Sequence, residues 1–295
     1  MRIFITGGTG FIGKLVVKSL QKTKHQLLVL TSKKSNAMVL TGSKNLQVVS
    51  GNLARPKQLE LILRKFRPEI AIHLAWEGIP DYGVEMSKKN LLYGLNLIEL
   101  LGQIGCKIFI GAGSCWEYGV TAGKINEAVV SSSPNPFTAA KISLQLFGEQ
   151  IAIKYGMKFV WMRFFYVYGP GQKISSLVPL LIQSAMKGKM PELKNPSSGN
   201  DFIYVDDVAT ALVRLVQKYR AIPAGIYNVG SGYLTGVQQI AELVMKHFGI
   251  ESKFSQIKPK GFYADISKLT KAMGWKPNTS IDQGIKKTIK YFQSL

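Results

Sequence analysis

Short apolar runs alternate with longer amphipathic stretches along the first 165 residues of the chain. The apolar runs, such as Gln26–Leu30, contain few alternating polar positions, which is typical of strands buried on both faces. Strands of this kind form a parallel sheet that helices cover on both sides. The predicted strands are Arg2–Thr6, Gln26–Leu30, Leu46–Val49, Ile70–Ala75, Lys107–Gly111 and Lys158–Phe165, and the predicted helices are Gly10–Lys22, Pro56–Phe66, Met86–Ile104 and Pro136–Tyr155.

The regular alternation breaks after about Tyr168, where glycine, proline and asparagine cluster at Tyr168–Lys173 and again at Lys194–Gly199. We therefore predict an α/β protein with a doubly wound parallel sheet over residues 1-165, to which residues 201-222 return. A smaller mixed α/β region covers residues 166-295. Its predicted helices are Ser176–Gly188, Val205–Lys218, Thr235–Phe248 and Ser280–Gln293, and its predicted strand is Gly225–Val229.

Composition excludes several classes of protein. The two cysteines, Cys106 and Cys115, form neither a disulfide framework nor a metal-ligand pattern, and the three histidines share no metal-like spacing. No apolar run reaches the length of a membrane span. The chain starts in an apolar strand that ends in glycines, unlike a signal peptide. We therefore expect a cytoplasmic protein without a metal.

The formal net charge of +21 is the unusual bulk property of the chain. Such a charge suits nucleic acid, an anionic membrane surface or a phosphorylated small molecule. The lysines are scattered rather than gathered in one run, so we interpret them as a solubilising surface and do not expect a nucleic-acid partner. Charge alone does not identify a partner.

A glycine-rich turn follows the first predicted strand in the stretch RIFITGGTGFIGKLVVKSL. Gly7, Gly10 and Gly13 form a Gly-x-x-Gly-x-x-Gly pattern between that strand and an amphipathic helix. Glycines permit close backbone approach, and a pyrophosphate can then bind at the helix N-terminus. The stretch therefore predicts a dinucleotide site, to which we also assign Thr9, Phe11 and Ile12.

The end of the second strand indicates which dinucleotide is bound. NAD sites carry an acidic residue there for the ribose 2′-hydroxyl, whereas this chain has Thr31, Ser32, Lys33 and Lys34. Hydroxyl and ammonium groups would hold a 2′-phosphate that a carboxylate would repel. We predict NADP in preference to NAD; the alternative is that the two lysines are only solvated.

Eight motifs in order resemble the extended short-chain dehydrogenase/reductases, in the branch of the nucleotide-sugar epimerases, dehydratases and reductases. The resemblance spans essentially the whole chain and implies a Rossmann-type dinucleotide domain followed by a mainly substrate-binding region. The motifs are TGGTGFIG, IHLAW, GAGSCWEYG, the Phe137–Lys141 pair, RFFYVYGPGQ, DFIYVDDVA, YNVGSG and ADISKLTKAMGWKP.

The resemblance implies a catalytic set in which a Ser or Thr binds the reacting oxygen, a tyrosine moves a proton and a lysine lowers the pKa of that tyrosine. On this chain the hydroxyl residue is Ser114 and the lysine is Lys141, but the tyrosine position holds Phe137. Family dehydratases have an Asp-Glu pair after the hydroxyl residue, whereas this chain has Cys115 and Trp116. This departure favours a ketoreductase or an epimerase, and the NADP-like second strand favours reduction.

Other family positions carry over to the adenine site, the nicotinamide site and the sugar pocket. Asn52 replaces a usual aspartate near the adenine, Tyr166 stands where many relatives have asparagine, and Asn200 replaces an arginine that grips the substrate diphosphate. Lys258 or Lys260 is the nearest cationic substitute for a second absent arginine, without its bidentate fit. The implied cofactor contacts are Asn52, Leu53, Leu74, Ala75, Lys141 and Phe164, and the implied substrate contacts are Trp76, Ser114, Cys115, Phe165, Tyr166 and Asn200.

Phe137 leaves three explanations open. The natural protein has tyrosine and this chain carries an inactivating change; or phenylalanine is natural and Tyr166, Cys115 or Ser114 supplies the acid; or the protein is a non-catalytic relative. The expected function is NADP-dependent reduction of a nucleotide-linked 4-keto-6-deoxyhexose. An epimerase with bound cofactor is the alternative enzyme, and an NADP- or RNA-binding relative is the alternative of another class. By family analogy we expect a homodimer through the helices Met86–Ile104 and Pro136–Tyr155.

Overall fold

A computed structural model describes residues 1–32, 40, 42–119, 121–130, 135–251 and 257–295. Its strands are β1 (Arg2–Thr6), β2 (Gln26–Thr31), β3 (Leu46–Ser50), β4 (Ile70–His73), β5 (Ile108–Ser114), β6 (Gly123–Ile125), β7 (Lys158–Phe164), β8 (Tyr166–Tyr168), β9 (Ser198–Asn200), β10 (Phe202–Tyr204), β11 (Gly225–Val229), β12 (Thr235–Gly236) and β13 (Lys260–Ala264). Its helices are α1 (Gly13–Leu20), α2 (Pro56–Phe66), α3 (Val84–Gln103), α4 (Pro136–Lys154), α5 (Leu177–Met186), α6 (Val205–Gln217), α7 (Val237–His247), α8 (Ser267–Met273) and α9 (Ile281–Gln293).

The large sheet confirms the predicted fold class. Its strand order is β11-β7-β5-β4-β1-β2-β3, and β1 pairs in parallel with both β2 and β4. The order reverses at β1, because β2 and β3 lie on one side of it while β4, β5 and β7 lie on the other. In open sheets of this kind, ligands bind beyond the carboxyl ends of the strands at the point of reversal.

The chain divides into two compact units. The first comprises Met1–Gly119, Val130–Arg163 and Leu212–Tyr227, and the second comprises Val120–Val129, Phe164–Ala211 and Asn228–Leu295. Binding of dinucleotide by residues 1-165 and of substrate by residues 166-295 stays a prediction.

Close packing between α3 and α4 positions one wall of the first unit. A Cβ added at Gly94 would lie 2.6 Å from a Leu144 methyl group, and one added at Gly148 would lie 2.8 Å from both Ile98 and Phe159. The start of α4 is also defined, because the Asn135 side chain accepts a hydrogen bond from the Thr138 amide at 2.9 Å. The position of α4 is therefore set by this cap and by its glycine contacts with α3.

The second unit contains a four-stranded sheet in the order β12-β9-β13-β6 and the two-stranded pair β10-β8. None of these strands was predicted, because each has only two to five residues and pairs with a distant segment. Asp201 links them: its carboxylate accepts backbone hydrogen bonds from Ser231, Gly232 and Ala264 at 2.6–3.0 Å.

Predicted ends of elements in the first unit differ from the structure by a few residues. The helix predicted from Gly10 begins at Gly13, and the strand predicted to end at Ala75 ends at His73. No helix within the described residues is long and apolar enough to cross a membrane. Cys106 and Cys115 are both buried, and no group of three possible His, Cys, Asp or Glu metal ligands occurs in the described ranges.

Candidate active site

In the glycine turn after β1, backbone segments pack directly against one another, without side chains between them. Gly7 adopts φ of 70°, and a Cβ there would lie 2.7 Å from the amide nitrogen of Ala75. A Cβ at Gly13 would overlap the carbonyl oxygen of Gly7. The first turn of α1 therefore lies directly against the end of β1, which leaves its N-terminus facing the turn.

A cavity of about 250 Å³ opens at this turn, at the reversal point of the sheet. Its wall also includes Thr6, Leu30, Gly51, Glu77 and Asn90, which sequence reasoning did not assign to the site. The predicted residues that the cavity does bring together are Gly7, Thr9, Gly10, Thr31, Ser32, Asn52, Leu53, Leu74, Ala75 and Trp76.

The residues that line the cavity have the chemistry that a nicotinamide dinucleotide needs. Gly7 and Gly10 expose backbone at the N-terminus of α1, where a pyrophosphate binds. Thr31 and Ser32 offer hydroxyls at the end of β2, where the adenosine ribose is held in this fold. The indole nitrogen of Trp76, on the cavity wall, is buried and has no hydrogen-bond partner among the described residues. Lys33 and Lys34 lie outside the described residues.

The side chain of His73 on β4 contacts Thr6 on β1, a residue of the cavity wall. Its Nδ1 lies 2.7 Å from the hydroxyl of Thr6. Burial, and secondarily the charge of Lys141, lowers the pKa of His73 to about 3. His73 is therefore neutral near neutral pH and holds two strands together rather than exchanging protons.

Lys141 lies where the family motif implies a lysine. Its Nζ donates a hydrogen bond of 2.7 Å to the carbonyl oxygen of Ala112 and lies 3.9 Å from the centroid of the Trp76 ring. Burial lowers the pKa of Lys141 to about 8, although the carboxylate of Glu117 acts in the opposite direction. The ammonium is thus still charged near neutral pH, and it contacts the ring of Trp76, which lines the cavity.

Phe137 lies inside a group of aromatic rings. Its ring centroid is 5.4 Å from that of Trp76, 5.1 Å from that of Tyr82 and 6.1 Å from that of Trp116. The side chain is 6% exposed. Sequence reasoning missed Tyr82, because nothing in the run GIPDYGVEM marks it as a neighbour of a residue on α4.

Ser114 ends β5 and caps the 3₁₀ helix Cys115–Tyr118, where its hydroxyl accepts a hydrogen bond from the Trp116 amide at 3.2 Å. Glu117 is fully buried in the same turn. It accepts hydrogen bonds from the Ser114 amide at 2.6 Å and from Arg163 Nε at 2.8 Å. The indole of Trp161 donates a further bond at 3.0 Å.

Glu117 therefore belongs to a buried ion pair that supports the Ser114 turn. It is not an acid exposed to substrate. Cys115 is only 2% exposed.

Phe11 and Ile12, next to Gly10, are not among the residues that line the cavity, and four further predicted residues belong to the second unit. Phe164 and Phe165 are buried, and the Phe165 ring contacts Phe262 at a centroid distance of 5.9 Å. Tyr166 is half-buried against Phe202, and Asn200 ends β9. Substrate contacts by these residues stay predictions.

A model of the NAD dependent epimerase/dehydratase family matches residues 3–230. The chain therefore belongs to that family, as the motifs predicted.

Individual relatives cover nearly the full chain. A putative UDP-glucose 4-epimerase of Methanocaldococcus jannaschii is 26% identical, over 99% of this chain and 98% of its own. The structure of a UDP-glucose 4-epimerase from Thermotoga maritima with UDP-glucose is 26% identical, with a TM-score of 0.86 over 100% and 99% of the two chains. That of a Bacillus cereus UDP-glucuronic acid 4-epimerase with UDP-glucuronic acid and NAD has the same fold, at 21% identity, a TM-score of 0.87 and coverage of 100% and 99%.

Proposed function

We propose that this protein is an NAD(P)-dependent oxidoreductase of nucleotide-linked sugars, and that it reduces a 4-keto-6-deoxyhexose with NADPH. One observation carries the proposal: the Lys141 ammonium contacts the ring of Trp76, which lines the cavity at the glycine turn. The buried ammonium, the Ser114 turn and the glycine turn are the parts that such an enzyme needs. Named relatives act on nucleotide sugars.

A bound reduced nicotinamide would supply the hydride for the sugar carbonyl carbon, and the chain's own residues would hold the cofactor and the sugar. The backbone at Gly7 and Gly10 binds the pyrophosphate, and the Lys141 ammonium holds the nicotinamide ribose. The Ser114 hydroxyl donates a hydrogen bond to the carbonyl oxygen and stabilises the negative charge that develops there. Trp76 closes one wall of the sugar pocket and excludes water.

Reduction is favoured over dehydration because no acid–base pair follows Ser114. Cys115 is buried, Trp116 packs on Phe137, and Glu117 is paired with Arg163. The preference for NADP rests on Thr31, Ser32 and the lysines that follow them, whereas the Bacillus cereus relative contains NAD. Titration of the protein with NADPH and with NADH tests the cofactor preference, and tighter binding of NADH would overturn it.

Turnover is tested with 4-keto-6-deoxyhexoses linked to dTDP, UDP, GDP or CDP, by the oxidation of NADPH and by product analysis. Consumption of cofactor in proportion to product is the expected result. A protein that bound none of these nucleotide sugars would contradict the proposal. RNA binding that falls steeply with salt and ignores NADPH would support the non-catalytic relative instead.

Epimerisation is the second candidate, and the named 4-epimerase relatives favour it. An epimerase returns hydride to the carbon from which it came, so no net cofactor is consumed. Interconversion of two nucleotide sugars without added NADPH would select this function over the reductase.

A homodimer through α3 and α4 is part of the proposal, and a cytoplasmic location stays a prediction. Large apolar side chains are exposed on these helices, among them Leu92, Leu146, Phe147 and Ile153 at 50–66%. Such a face is typical of an interface. Sedimentation of the protein and of Phe147→Glu tests it; we expect a dimer that the substitution converts to monomer, and Leu61→Glu on α2, at a residue that is also exposed, is the matched control.

A further inference from the structure

Tyr82 lies in a segment that is held in place between β4 and α3. Asn90 on α3 binds both backbone groups of Glu77: its Oδ1 accepts from the amide at 2.8 Å, and its Nδ2 donates to the carbonyl at 3.1 Å. Asp81 accepts a hydrogen bond from the Gly83 amide at 2.9 Å. The segment is therefore anchored to α3 at Glu77, and a local turn from Asp81 to Gly83 spans Tyr82.

The Tyr82 ring occupies one corner of a triangle of aromatic contacts. It lies 5.1 Å from the Phe137 ring and 5.3 Å from the Trp116 ring, both in edge-type geometry. These distances are within the range of direct ring contact. The phenol thus belongs to the shell around the position at which the family places its own phenol.

The Tyr82 phenol carries a proton that it can donate. Its side chain is half-buried, and its hydroxyl makes no hydrogen bond with another of the described residues. Burial raises the pKa of Tyr82 above its usual value. The phenol therefore keeps its proton near neutral pH. Lys141, which lowers the pKa of the tyrosine in the family arrangement, lies 5.8 Å from the Phe137 ring.

Other groups in the first unit are less suited to the task. The carboxylate of Glu117 is bound to Arg163 and Trp161, and His73 is buried and neutral. Cys115 is 2% exposed. The half-buried phenol beside Phe137 is the better-placed acid.

We propose that Tyr82 donates the proton that the side chain at position 137 lacks. This inference rests on the proposed reduction of a keto sugar. When hydride has added to the carbonyl carbon, the C–O π pair becomes a lone pair on oxygen. The O–H bond of Tyr82 breaks, its proton joins that oxygen to form the hydroxyl of the product, and the phenolate then takes a proton from water.

The test compares the wild-type protein with Tyr82→Phe, Phe137→Tyr and the double variant. Tyr219→Phe is the matched control, since its hydroxyl accepts a hydrogen bond from its neighbour Arg220 outside the site. Two quantities are measured: kcat for reduction of 4-keto-6-deoxyhexose nucleotides at saturating NADPH, and the Kd of the same compounds in the presence of NADP⁺. The Kd of the free nucleoside diphosphate is the internal reference.

We expect Tyr82→Phe to lower kcat by about 10²–10⁴-fold, as for loss of a general acid. The same change weakens binding of the keto sugar by about three- to tenfold, through one lost hydrogen bond, and leaves the nucleoside diphosphate unaffected. Phe137→Tyr restores kcat in the Tyr82→Phe background, because it places a phenol beside the same site.

Wild-type kcat and Kd values in Tyr82→Phe would overturn the assignment while leaving the proposed function in place. The assignment would also be overturned if the wild-type protein bound the keto sugar without reducing it and only the Phe137→Tyr variant showed turnover. Failure of the proposed function is a different result: the wild-type protein then binds no 4-keto nucleotide sugar, and both proposals fall.

Discussion

Acidification is expected to destabilise this protein through one buried histidine. His73 is 4% exposed, and its pKa falls from 6.5 to about 3 on folding. The contribution of His73 to the free energy of unfolding is therefore fully present above pH 6.5 and is lost as the pH falls towards 3. Over this range the unfolded chain binds a proton at His73 that the folded chain does not bind. At 1.36 kcal/mol per pKa unit the full loss is about 5 kcal/mol, and about 3 kcal/mol is lost by about pH 4.5.

A loss of that size is a large part of the typical stability of a folded protein, about 5–15 kcal/mol. Urea unfolding at several pH values between about 7.5 and 4.5 measures it, with His73→Gln as the reference because other groups titrate over the same range. We expect the wild type to lose about 3 kcal/mol more than the variant over this range. A difference that does not change with pH would refute the reasoning, as would an NMR titration in which folded His73 gains its proton near pH 6.5.

Three further changes test the site. Gly13→Ala places a Cβ against the Gly7 carbonyl and should lower the free energy of unfolding by about 3 kcal/mol. Gly10→Ala, whose Cβ would lie 3.1 Å from the same oxygen, should lower it less. Equal shifts of the melting temperature in the two variants would contradict this. Glu117→Gln leaves the Arg163 charge buried without its partner and should cost about 3–5 kcal/mol in denaturant unfolding, so a loss below about 1 kcal/mol would show that the pair does not stabilise the fold. Because the pKa of Lys141 is about 8, dinucleotide affinity should be constant below that pH and fall above it, and Lys141→Met should abolish this dependence.

Much of the candidate site followed from patterns within single segments. The glycine spacing between β1 and α1 predicted the turn, because a strand, a tight turn and a helix start are local features. The spacing of Phe137 and Lys141 placed both on one face of α4, and the missing carboxylates after Ser114 were visible directly. Apolar strands between helices were enough to predict the parallel sheet, since each strand must be buried on both faces.

Contacts between segments far apart in the chain were not predictable in this way. The Glu117–Arg163–Trp161 network joins the turn after β5 to β7, and no local signal links them. The strands β6, β9, β12 and β13 have two to five residues each and are strands because of their partners.

Tyr82 is the clearest example of the difference. The sequence placed it in a loop before a helix, and the absence of a phenol at position 137 suggested Tyr166, Cys115 or Ser114 as the substitute. Packing of the segment between β4 and α3 brings the Tyr82 ring into contact with Phe137. The chain determines its strands and turns by short-range preferences, but which two side chains meet depends on how the layers pack, and that is a property of the folded protein.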